Sequence, residues 1–307
     1  LGKIKKGAVA TWRYKTFCLI TYQKIISNIL LSKMNQIQKI NSRDNQKLRF
    51  ARAVRDGRES DWIFVEGLRL SEELMKANLE IKQVLVTSQF LQNARAVKLI
   101  QKLLVKNIEI SEVEAKIFGS LSDTKNSQGI IVIADKPVTG REVVEKNLTS
   151  QPFLLLLHGL NNPLNLGAIL RTAEAVEIEG VITTKGTTDV FSQKALRGGM
   201  GANLRLPFWT NADFSEVLAW AKRQGIKSVC ADIRSQKSYL EIDWTMPRLL
   251  VIGSEGHGLS EVERIQTDES LIIPMANGVE SLNAAVASGV MLFEAKRQRE
   301  MQIKSKK

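Results

Sequence analysis

The sequence predicts an α/β protein in two units, the second built on a mostly parallel sheet. Three observations predict it. Short apolar runs alternate with helical patterns along most of the chain, the signature of strands and helices packed in layers. Residues 153–157 form a continuous apolar run, as expected of a strand buried on both faces. Residues 135–152 are polar and contain Pro137, Gly140 and Pro152, which reads as a linker. With 307 residues and 44% hydrophobic composition, the chain is long enough for two cores.

The elements follow in order. Residues 42–56 are polar and helical in pattern, closed by Gly57, where a left-handed residue ends a helix. Strand character occurs at 62–65, 84–87, 108–110 and 129–134, with helical patterns at 68–77 and 94–106. Beyond the linker, strands are expected at 153–157, 181–183, 228–231, 249–252 and 271–273. A helix is expected over 214–224, and a long final helix from near Ser281. The resulting division is a basic extension over 1–40, a first domain over 41–136, a linker over 137–151, a second domain over 152–300 and a basic tail over 301–307.

Charge is placed unevenly. Up to Arg58 there are fourteen Lys or Arg against Asp44 and Asp56, so this segment carries the whole formal charge of +12. A block of one sign attracts phosphate backbones, although a solvated basic tail has the same composition. Arg43, Lys47, Arg52 and Arg55 lie on the expected first helix and are its candidate nucleic-acid contacts. The first forty residues contain no acid, and the first methionine is Met34. An extension from an upstream start is the preferred reading, beside a disordered basic arm and an organelle presequence. The apolar run over 17–31 is broken by Gln23, Lys24 and Asn28, too short and polar for a membrane span. Cys18 and Cys230 lie far apart without metal-ligand spacing, so no disulfide framework or metal site is expected, and a reducing, cytoplasmic setting fits.

Three loops of the second unit carry unusual residues. Residues 161–173 follow the buried strand and hold Asn161, Asn162, Asn165, Gly167 and Arg171. Asn and Gly there supply a turn and a helix N-terminus that favours anions, and the five donors of Arg171 suit a phosphate. An N-capped helix with a surface arginine is the bland alternative. Residues 253–260 hold Gly253, Ser254, Glu255, Gly256, Gly258 and Ser260. Their glycines admit a ligand close to the backbone, and Ser260 with Glu263 forms a capping-box pattern. Residues 273–287 contain Ile273, Pro274, Met275, Asn277, Gly278, Ser281, Leu282 and Asn283, then small residues that allow close packing.

Taken in order, N-P-x-N-x-G-A-x-x-R-T-A, G-x-E-G-x-G-L and I-P-M-x-x-G-x-x-S-L-N-x-x-V-A resemble the SpoU/TrmH family of RNA ribose 2'-O-methyltransferases in the SPOUT class. Upstream, residues 64–67 and 122–129 resemble the RNA substrate-binding domain of many members, related to ribosomal-protein RNA-binding folds. The resemblance implies a parallel sheet with a deep trefoil knot, S-adenosylmethionine as cofactor without a metal, and a homodimer. It assigns Arg171, Asn165 and Glu255 to catalysis, and Gly253, Ser254, Gly256, Ile273, Met275, Ser281, Leu282 and Asn283 to the cofactor. Ribosomal RNA is favoured over transfer RNA by analogy with the appended domain. A guanidinium is a poor base at neutral pH, so Arg171 is expected to hold the phosphate beside the target ribose and steer its hydroxyl.

Some positions depart from the family pattern. Asn162 stands where an acid often precedes the proline, and Leu164 replaces a small or polar residue. Arg197, a further candidate RNA contact, opens a segment in which Gly198 and Gly199 replace the usual residues, predicting a looser loop. His158 and His257 are expected to be structural. A nicotinamide-dependent oxidoreductase would need the G-x-G-x-x-G fingerprint, which is absent. A non-catalytic RNA-binding protein on this scaffold would be expected to lose Arg171 or Asn165, and both are present.

Overall fold

The computed structural model describes Met34, residues 37–124 and residues 126–305. The expectations for the basic stretch ahead of Met34 lie outside the described residues. Two compact units result: residues up to Glu59 with 66–68 and 80–134, and residues 60–65 with 69–79 and the remainder from Asp135.

The first sheet runs in the order β1 (Gln38–Ile40), β4 (Ile110–Val113), β3 (Ile81–Val86), β5 (Ile130–Asp135), β2 (Trp62–Glu66). β1 and β3 each pair in parallel with β4, and β5 runs antiparallel to β3. β1 lies within the stretch expected to be an extension, and its Ile40 is buried. The helices of this part of the chain are α1 (Gln46–Arg55), α2 (Leu68–Lys76), α3 (Ala94–Val105) and the single turn α4 (Ala115–Phe118). Asn45 caps α1 by accepting from Lys47 N at 2.9 Å, and α1 buries Leu48, Ala51 and Val54. Gly57 follows at φ +73°, the conformation expected of it.

Buried Glu66 organises the loop after α4, accepting from Ser122 Oγ at 2.5 Å, Thr124 Oγ1 at 2.9 Å and Ser127 Oγ at 2.8 Å. Gln128 Oε1 accepts from Leu68 N at 2.8 Å. The two upstream motif segments are thus one hydrogen-bonded structure.

The second sheet is parallel throughout, in the order β11 (Glu269–Leu271), β9 (Lys227–Ala231), β10 (Arg248–Ile252), β6 (Phe153–Leu157), β7 (Gly180–Thr184), β8 (Phe208–Ala212). Its helices are α5 (Arg141–Glu145), α6 (Pro163–Ala175), α7 (Gln193–Gly199), α8 (Phe214–Arg223), α9 (Glu261–Arg264) and α10 (Ala284–Ser305). All five residues of β6 are buried, as the apolar run predicts. One core layer joins Leu154, Leu156, Leu249 and Val251 to Trp209 and Trp220, whose rings meet edge-on at 5.5 Å.

Three expectations are corrected. The linker contains α5, whose Val144 is fully buried in the second unit's core. Gly198 and Gly199 are helical rather than in a loose loop. They let α7 approach α6 backbone to backbone: a Cβ on Gly167 would lie 2.8 Å from both Gly198 Cα and Gly199 N. The final helix begins at Ala284, after Asn283 Oδ1 has accepted from Ala285 N at 2.9 Å, and it continues through residues set down as a tail.

Two arginines bind the segments flanking β10. Arg299 of α10 donates to the carbonyls of Trp244, Gln151 and Met246 at 2.7, 2.8 and 2.9 Å. Its guanidinium stacks 5.0 Å from the Phe153 ring centre. Buried Arg248 pairs with Glu269, which also accepts from Lys237 Nζ at 2.5 Å. Burial alone would raise the Glu269 carboxyl, but Lys237 and Arg248 outweigh it and hold the pKa at about 2. A carboxylate depressed on folding stabilises the fold above its unfolded pKa, and that contribution disappears as pH falls through the folded value. Denaturant titrations should therefore show this part of the stability lost between the ordinary value of 4.5 and about 2. Glu269→Gln should cost about 3 kcal/mol at neutral pH and flatten the acid limb over that window.

Candidate active site

The sheet order creates the site. From β6 the chain steps outward through β7 and β8, then returns to the opposite side for β9, and β10 fills the place beside β6. The crevice outside the carboxyl ends of two such strands, where the order reverses, is where open α/β sheets bind ligands. Ile252, the last residue of β10, is in register with Leu157, the last of β6. Loops 158–162 and 253–260 therefore leave the sheet side by side.

Asn162 caps α6, accepting from Leu164 N at 2.9 Å, with Pro163 in the first turn. The cap absorbs the departure of Asn162 from an acid. The missing negative charge is supplied across the crevice: Glu255 accepts from the backbone N–H groups of Asn161 and Asn162, each at 3.2 Å. A carboxylate at a helix N-terminus is favoured by the helix dipole. Asn165 Nδ2 also reaches Glu255 Oε1, at 3.4 Å, and Asn165 Oδ1 accepts from Asn283 Nδ2 at 3.0 Å. One chain of side chains thus ties all three motif loops together.

Beside this chain lies a cavity of about 510 Å³, within the usual range for small-molecule sites. Gly253, Ser254, Gly256, Ile273, Met275, Ser281 and Leu282 all line it, as does Glu255; Asn283, expected at the cofactor, is not on its wall and instead donates to Asn165 Oδ1. Gly253 is there because nothing larger fits: a Cβ would stand 2.5 Å from Gly258 C and 2.7 Å from Leu259 N. Ser254 and Gly258 exchange backbone hydrogen bonds at 3.0 and 3.2 Å, which folds the glycine loop over the cavity rim.

Arg171 is exposed on α6, one turn beyond Gly167, and makes no hydrogen bond or ion pair among the described residues. Arg197 is half-buried on α7. In the first unit Arg43 is exposed, and its carbonyl accepts from Arg52 Nη1 at 3.0 Å. Lys47 is spent within the fold, donating to Glu109, Gln38 and Ser111 at 2.6, 2.9 and 3.1 Å. Arg55 likewise donates to Asp56 at 2.8 Å and to the Ser120 carbonyl at 2.9 Å. Exposed Arg49 presents a cation on the same helix.

His158 is held at both nitrogens, by Thr184 Oγ1 and Glu263 Oε1, each at 2.9 Å, and it packs on Phe214. Burial would raise Glu263, but Ser260 and His158 outweigh it and lower the pKa. The Ser260–Glu263 capping box forms as its spacing predicts. His257 is exposed at the cavity.

Sequence reasoning missed the loop after β9, where Ala231, Asp232, Ile233 and Arg234 line the cavity. Arg234 grips Asp232 at 2.8 Å and reaches Glu261 at 2.9 Å. Burial would raise Asp232, but Arg234 and Arg264 prevail and lower it. The loop holds no glycine to mark it; its only signal was its place after a strand next to β10.

Comparison with known proteins matches residues 152–293 to the SpoU rRNA Methylase family and residues 45–132 to the MRM3-like substrate binding domain. The 23S rRNA (guanosine-2'-O-)-methyltransferase RlmB of Escherichia coli is 31% identical over 241 residues, 76% of this chain and 98% of that protein. The mitochondrial rRNA methyltransferase 3A of Danio rerio is 28% identical over 353 residues, 97% of this chain and 79% of that one. Among solved structures, the AdoMet-bound rRNA methyltransferase of Sinorhizobium meliloti superposes with a TM-score of 0.74 at 25% identity, covering 85% of this chain and 98% of the other. The crevice between β6 and β10, with its three loops in the order read from the sequence, is thus matched in sequence and in fold, and the chain belongs to the SpoU rRNA Methylase family.

Proposed function

We propose that this protein transfers a methyl group from S-adenosylmethionine to a ribose 2'-hydroxyl of ribosomal RNA. The observation that carries the reading is the Asn283–Asn165–Glu255 chain, which joins three loops against one cavity. The cavity suits the cofactor: its volume is adequate, and Gly253 brings backbone to its wall. When bound, S-adenosylmethionine supplies an electrophilic methyl on a sulfonium sulfur, open to in-line attack by the ribose oxygen.

The chain's own residues orient and hold. Backbone groups around Gly253, Ile273 and Leu282 would seat the cofactor, and Glu255 would fix Asn165, in the first turn of α6, so that the wall facing the ribose keeps its shape. The Arg171 guanidinium would bind the phosphate beside the target ribose. Exposed Arg43 and Arg49 on the first unit supply attraction for the RNA backbone. The proposal includes the knotted passage of the C-terminal segment and a homodimer in a reducing compartment. Supporting the first, Asn283 is bonded to Asn165, and Arg299 holds α10 to residues 151 and 244–246. Supporting the last, Cys230 is a buried free thiol. Ribosomal RNA is favoured because its relatives in Escherichia coli and Danio rerio are named for rRNA methylation.

The test is incubation with methyl-labelled S-adenosylmethionine and separate ribosomal and transfer RNA pools, followed by alkaline hydrolysis. Methylation of the 2'-oxygen removes the nucleophile of alkaline cleavage, so label should appear in alkali-resistant dinucleotides from ribosomal RNA. Label released as mononucleotides would overturn the ribose assignment, and label in transfer RNA alone would overturn the substrate.

A further inference from the structure

Methyl transfer changes the cofactor by one charge: the sulfonium gives up its methyl with the C–S bond breaking towards sulfur, and a neutral thioether remains. The proton of the attacking hydroxyl leaves separately. Substrate and product cofactor are otherwise the same size to within one methyl group, so contact area alone discriminates weakly between them.

The cavity's charged side chains are Asp232, Arg234, Glu255 and Glu280. Three of them are compensated by the protein. Asp232 faces Arg234 at 2.8 Å and Arg264 at 3.5 Å. Glu255 is taken up by two backbone N–H groups and Asn165. Glu280 differs, making no hydrogen bond or ion pair among the described residues. The backbone reversal at Asn277 and Gly278, with φ of +57° and +71°, delivers it to the cavity wall directly ahead of Ser281 and Leu282.

We propose that Glu280 reads the sulfonium charge, so that the pocket holds the methyl donor more tightly than the spent thioether and releases product. The inference rests on the methyl-donor reading above and adds a residue to it. An exposed carboxylate on the cavity wall would favour a unit-charged ligand seated within a few ångström of it by about tenfold, and salt reduces the preference.

Calorimetric titration of the full chain with S-adenosylmethionine and with S-adenosylhomocysteine tests it. Glu280→Gln should weaken S-adenosylmethionine about tenfold while changing S-adenosylhomocysteine less than about twofold. Glu280→Asp should keep most of the preference, and raising ionic strength should shrink it in the native chain but not in Glu280→Gln. Equal weakening of both ligands, or an unchanged ratio, would overturn the role of Glu280 while leaving the methyl-donor reading intact. If the native chain binds neither ligand, that reading fails and Glu280 loses its role with it.

Discussion

Replacing Arg171 with alanine is expected to lower methyl transfer by about a thousandfold, with S-adenosylmethionine affinity changed less than about twofold. The asymmetry follows from position. Arg171 stands on the exposed side of α6, does not line the cofactor cavity, and has no partner among the described residues. Its removal therefore leaves no buried acceptor unsatisfied and costs the fold little. On the proposed function, what is lost is the fork of donors that would hold the phosphate beside the target ribose. Arg171→Lys retains the charge without the planar fork, so it should recover RNA affinity more fully than turnover. Single-turnover rates and calorimetric cofactor binding on the same preparations check both statements. Retained turnover in Arg171→Ala would remove the arginine from the reaction, and lost cofactor affinity would give it a structural role instead.

The parts of this molecule legible in the sequence are those where local chemistry and tertiary role coincide. The run over 153–157 is apolar because both faces of β6 are covered, and Asn162, Pro163 and the Ser260–Glu263 pair carry capping signals that need no distant partner. Elements that depend on distant partners were hidden. β1 has one buried residue in three and is a strand only because β4 lies beside it. β8 contains Asn211 at φ +56° and a register shift against β7, which breaks the alternation that would have marked it. α5 is one short turn inside a polar stretch, and only the packing of Val144 shows that it belongs to a core. The site followed the same rule: glycine-rich loops announced themselves, whereas the Asp232–Arg234 loop and the Glu280 carboxylate, without a partner among the described residues, acquire meaning only from the strand order and from what already pairs with their neighbours.

Gly167 is where sequence and packing constrain each other most, and Gly167→Ala is expected to destabilise the second unit by about 3 kcal/mol or more. The added Cβ would meet Ala195 O at 2.6 Å and both Gly198 Cα and Gly199 N at 2.8 Å. All three are backbone atoms, so no side chain can swing away; α7 must move as a body. Helix propensity alone would favour alanine by roughly 1 kcal/mol, so the expected sign is opposite to that of a solvent-facing glycine. Asn203 resists the displacement: it packs so closely on Gly199 that a Cβ there would stand 1.9 Å from its Oδ1, and it is anchored by donating to the Val190 carbonyl at 2.5 Å. Thermal unfolding should show a fall of about 6–12 °C for a unit of this size. Cofactor affinity should suffer as well, since α6 carries Asn165 and Asn162 to Glu255. Gly225→Ala is the contrast: it has open space around it and differs only by its φ of +71°, so it should cost about 1 kcal/mol and leave cofactor binding untouched. Equal losses in the two variants would mean that the α6–α7 crossing is looser than backbone contact.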